Sequence, residues 1–171
     1  STGAFDFNIG LMWNSYIGEN FNIYAGGSMF HVLEPEGTFL QNSTYEIPRR
    51  YMGHGGFEWR IADPFALMPS VVYMNQATAS QVNLGASLGF YFGANDDAAL
   101  YLGGYYRLQD AGIAYAAVEF KGFRIGASYD ITTSDLNNAP GATGSYELSL
   151  IYVNRPASLP QLRSLLFCPR F

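Results

Sequence analysis

Apolar and polar residues alternate along most of this chain with a period of two. Residues 81–92, QVNLGASLGFYF, show it best. Val82, Leu84, Ala86, Leu88, Phe90 and Phe92 fall on one side of a strand, with Gln81, Asn83, Gly85, Ser87 and Gly89 on the other. Successive strand side chains point to opposite faces, so such a segment has one apolar face and one polar, small-residue face. The pattern predicts further strands over 5–13, 21–29, 49–61, 65–73, 100–109, 114–120, 123–132 and 146–152. Repeated alternation in segments of about ten residues is the mark of a transmembrane β-barrel, with its apolar face to lipid and its polar face to the lumen.

The connections sharpen the reading. Ile17 to Asn20, Asp63 with Pro64, Asp96 with Asp97, residues 110–112 and Lys121 with Gly122 read as turns. Residues 33–48 and 133–144 lose the alternation and read as long loops, and loops beyond about 12 residues are either functional or disordered. Outer-membrane barrels turn tightly on the periplasmic side and loop outside. The parity of short and long connections is imperfect near Pro69, which cannot donate to a ladder and predicts a bend, bulge or interruption in its strand. Nine or ten strands are expected in the chain. Nine does not close a bacterial barrel, which has an even count, so these strands are read as part of a larger barrel.

Composition agrees. Only 13% of residues are charged while 16% are aromatic, against about 25% charged in ordinary soluble domains. Mean hydropathy is +0.01, and no run reaches the roughly 18 apolar residues of a spanning helix. A net charge of −5 argues against nucleic acid as a partner. A lone cysteine, Cys168, excludes an internal disulfide and a CxxC metal site. The chain opens in a strand pattern with no export signal, which suits a start in mid-chain.

Few residues suggest chemistry. His31 and His54 lie near no Asp, Glu or Cys by spacing, so no metal, cofactor or catalytic site is expected. No carboxylate–His pair within about 2.6–3.2 Å is expected either. Asp96 and Asp97 sit in a turn, and Asp135 has no His nearby. Arg49 and Arg50 suit anchors at the membrane edge. Arg107, Glu119, Arg124, Asp130 and Glu147 fall on inward faces of neighbouring strands, where they can plug the lumen or line a solute path. Phe39, Leu40 and Tyr45 cluster apolar surface in the first long loop. Leu162, Leu165 and Phe167 do the same in the segment 154–171, read as a periplasmic tail after a barrel portion over 1–153. These six are candidate partner contacts.

Several passages together resemble one family. YLGGYYRLQDAG (101–112), FRIGASYDITTSDL (123–136), GSYELSLIY (144–152) and the terminal CPRF (168–171) are similar to PorP/SprF proteins of the type IX secretion system of Bacteroidota. NFNIYAGGSMFHV (20–32) and PRRYMGHGGFEW (48–59) resemble the same family's upstream passage. The resemblance spans nearly the whole chain. It implies a non-enzymatic outer-membrane barrel, in lipid, that helps secrete or anchor surface proteins such as adhesins. Its implied partners are a secreted adhesin or C-terminal sorting domain outside and secretion or gliding-motility components in the periplasm. Family members are longer, which implies strands preceding position 1. A channel for solutes or hydrophobic compounds is the competing membrane function. A lipocalin-like soluble barrel would need the apolar faces to point inward.

Overall fold

The computed structural model describes residues 5–40, 43–93, 97–133 and 144–153, with backbone alone at 36–40 and 43–45. All the regular structure among them is β. Nine strands form one antiparallel sheet: β1 (Ile9–Ile17), β2 (Phe21–Phe30), β5 (Arg50–Ala62), β6 (Phe65–Gln76), β7 (Ala79–Phe92), β8 (Ala98–Arg107), β9 (Ala111–Phe120), β10 (Phe123–Thr132) and β11 (Ser145–Tyr152). Each pairs with its neighbour in sequence, except that β2 pairs with β5. Between those two lies a separate hairpin of β3 (Glu36–Leu40) and β4 (Ser43–Glu46). The first long loop of the sequence reading therefore contains a hairpin.

The register sorts the side chains as the alternation predicts. Leu88 lies opposite Leu102, Leu102 opposite Ala116, and Ile125 opposite Val118 and Leu150. These apolar residues point outward: Leu102 is 56% and Ile125 64% exposed, with Phe90, Phe92, Leu100 and Phe123 alongside. The opposite face carries Tyr24, Ser87, Tyr101, Ala117, Glu119 and Arg124, all buried. Buried polar groups inside and apolar groups outside invert the arrangement of a soluble protein. Lipid satisfies that outer face. The lipocalin-like arrangement, with its apolar faces inward, does not occur here.

Three details depart from the sequence reading. β1 begins at Ile9 instead of Phe5 and runs on to Ile17, because β2 ends at Phe30 and His31 turns away with φ 55°. β6 is unbroken through Pro69 and extends to Gln76. Pro69 pairs with Ala86 of β7, while on the β5 side the bridges stop at Gly56 with Ser70 and resume at Trp59 with Leu67. The missing N–H opens the ladder for two pairs without moving the register. With β6 complete, the connection to β7 shrinks to Ala77 and Thr78.

That change also settles the parity of the connections. One rim of the sheet carries 18–20, 63–64, 93–97 and 121–122, all of five residues or fewer. The other carries 31–49 and 133–144, with 77–78 and 108–110 between them. Both long connections leave from the same rim.

Candidate functional site

The sheet curls so that non-adjacent strands share an interior. Tyr24 of β2, Ser87 of β7 and Arg124 of β10 line one small pocket. Tyrosine side chains lie against glycines on neighbouring strands, which permits this close approach. A Cβ at Gly56 would stand 2.6 Å from the Tyr24 hydroxyl, and one at Gly85 would stand 2.5 Å from Cδ1 of Tyr105. Either would force a shift in a close-packed interior.

The half of the interior next to the tight-turn rim is filled. Arg124 donates from Nε to Glu119 Oε2 at 3.0 Å and from Nη2 to the same oxygen. Tyr101 donates its hydroxyl to that carboxylate oxygen at 3.2 Å, and its ring lies 3.7 Å below the guanidinium carbon. Arg124 is 4%, Glu119 6% and Tyr101 2% exposed, so the charges are buried together and partnered. Beside them the Tyr91 hydroxyl donates to Glu58 at 3.0 Å, and Arg60 stacks 4.4 Å over the Tyr91 ring. Ala99, Ala117 and Met68 fill the space between. Parity alone puts Glu58, Arg60, Tyr91 and Tyr101 on the inner face, and sequence reasoning passed over them as network members.

The half next to the long-connection rim is open. Arg107 pairs with Asp130 at 3.0 Å and with Asp110 at 3.1 Å, half-buried. Glu147, on β11 beside Ser128, makes no ion pair among the described residues. These groups border a cavity of about 310 Å³ whose other walls come from β5, β6, β7 and β9. So the five inward charged residues divide: Arg124 with Glu119 in one cluster, Arg107 with Asp130 in another, and Glu147 apart.

At the open rim the structure makes one correction. His31 Nδ1 lies 2.9 Å from Asp6 Oδ2, a carboxylate–His pair where none was expected. Asp6 lies outside β1 in a segment that follows the turn at His31, where Val32 N donates to Phe7 O and His31 N to Asn8 Oδ1. Sequence separation hid the pair. Both partners are about one-third exposed, and among the described residues no group of three His, Cys, Asp or Glu is placed to hold a metal. Arg49 pairs with Glu34 at the base of the hairpin, and Arg50 lies over the Phe30 ring. His54 faces inward against Gly26. The backbone of Phe39 and Leu40 belongs to β3 and that of Tyr45 to β4. Asp135, Leu162, Leu165, Phe167 and Cys168 lie outside the described residues, as does Asp96.

No curated protein and no solved structure matches the chain. The family model for the type IX secretion system membrane protein PorP/SprF matches residues 1–152. An all-β sheet with lipid-facing strands and a match over most of its length make this chain a member of the PorP/SprF family of type IX secretion outer-membrane proteins.

Proposed function

We propose that the chain is part of a non-enzymatic outer-membrane barrel that holds or delivers secreted proteins, adhesins among them, at the cell surface. Residues 1–153 form the barrel portion and 154–171 a periplasmic tail. The observation that carries this reading is the placement of both long connections on one rim, with only tight turns opposite. Short turns belong to the periplasm and longer loops to the outside, so the open rim is the outer one. A client or its C-terminal sorting domain then meets the barrel at the β3–β4 hairpin, through Phe39, Leu40 and Tyr45. β11 ends at the tight-turn rim, so the tail enters the periplasm, where Leu162, Leu165 and Phe167 contact secretion or motility components.

The hairpin makes a clean test. It shares no ladder with the nine-stranded sheet, and Phe30 already pairs with Arg50, so a short turn can replace 33–48. We expect that deletion to abolish surface retention of the client while the barrel stays heat-modifiable on gels. Unchanged retention would remove the hairpin from the binding surface. Truncation after Asn154 tests the inner contact separately, by co-purification with the periplasmic components.

A further inference from the structure

The cavity under the outer rim has the features of a binding site, and they are independent of any role in secretion. Its volume, about 310 Å³, lies at the lower end of small-ligand pockets, which span about 300–1,000 Å³. Met52, Val72, Met74 and Ile113 give it an apolar wall. Methionine side chains adapt their shape to a guest at little cost. The polar groups on its border are unevenly matched. The Arg107 guanidinium is already shared between Asp110 and Asp130, which leaves Glu147 as a carboxylate without an ion pair among the described residues. Across the cavity, Asn83 Oδ1 is buried and accepts no hydrogen bond. A buried acceptor left unsatisfied calls for a donor. Arg107 offsets Asp130 on the border, so the exposed Glu147 leaves the site net negative, and apolar walls focus such a field on an ion of the opposite sign.

We infer that this cavity binds a cationic group carried on an apolar stem, an alkylammonium or alkylguanidinium. The head donates to Glu147 and Asn83 while the stem lies along Met52, Val72 and Met74. Such a group can come from a free organic cation or from a lysine or arginine side chain of a polypeptide reaching in from the rim.

The test uses the full-length protein in nanodiscs of zwitterionic lipid, titrated calorimetrically. The probes are n-pentylammonium, the peptide acetyl-Gly-Gly-Lys-Gly-Gly-amide, and n-pentanol as the neutral counterpart. Saturable binding of either cation is expected, with pentanol weaker by at least about tenfold, as loss of a charged hydrogen bond implies. Glu147→Gln should weaken the cation by a similar factor, with Glu147→Asp recovering part of it. Val72→Trp should block the cavity for every probe. Binding of pentylammonium alone identifies a free cation as the guest, and binding of the peptide alone identifies a partner's side chain. Equal affinity for pentanol and pentylammonium, no effect of Glu147→Gln, or no saturable binding in a heat-modifiable wild-type barrel would each overturn the inference.

Discussion

Single residues in this wall answer to two solvents. Leu102 sits mid-strand on the outer face, 56% exposed, so its surroundings are acyl chains. Leu102→Arg is expected to destabilise the barrel by about 2–4 kcal/mol, read from reversible folding into lipid. Arg124 answers to the opposite rule. Removing it leaves Glu119 charged, buried and short of its main partner. Arg124→Ala should therefore cost about 3–5 kcal/mol in the same assay, and Arg124→Leu combined with Glu119→Leu should recover much of that. The Arg124 and Glu119 pair was legible in the sequence, because a two-residue turn at Lys121 and Gly122 makes the two residues cross-strand neighbours. The Tyr91 and Glu58 bond was not. β6 separates their strands, so only the curl of the sheet brings them together. Asp6 and His31 escaped for a similar reason, since the sequence pattern counts Asp6 into a strand that starts three residues later.

At the level of elements, the tight turns fix the register of everything between them. Lys121 and Gly122 have φ of 48° and 85°, the conformation of a two-residue primed hairpin turn. Gly122→Val should cost about 1–3 kcal/mol, because a β-branched residue is strained there, and should lower the temperature at which the folded gel band is lost. Such turns announce themselves in sequence through Lys-Gly and Asp-Pro pairs. Eight of the nine sheet strands could be read from alternation, since a half-buried strand writes its two faces into every second residue. The β3–β4 hairpin could not. Its strands are short and set apart from the wall, so no membrane face imposes alternation on them. The extent of β6 was also obscured. Apolar residues on both its faces, such as Val71 and Val72, hide the period, and Pro69 suggests a break that only one of the two ladders has.

For the molecule as a whole, the interior of the described sheet is asymmetric: filled towards the tight turns and open towards the rim of the long connections. The buried cluster of Arg124, Glu119, Tyr101 and Tyr91 should restrict current through the lumen. In planar bilayers we expect low conductance for the full-length wild type and a measurable rise for Arg124→Ala combined with Glu119→Ala. High conductance in the wild type would favour a solute channel over a secretion component. The antiparallel ladder also has a mechanical consequence. Its hydrogen bonds run perpendicular to the strands, and both long connections join strand ends at one rim. A pull on that rim along the strand axes would load many hydrogen bonds together in shear. The same pull applied sideways to one edge would unzip the bonds one after another. A tether seated above this wall would load it in its strongest direction.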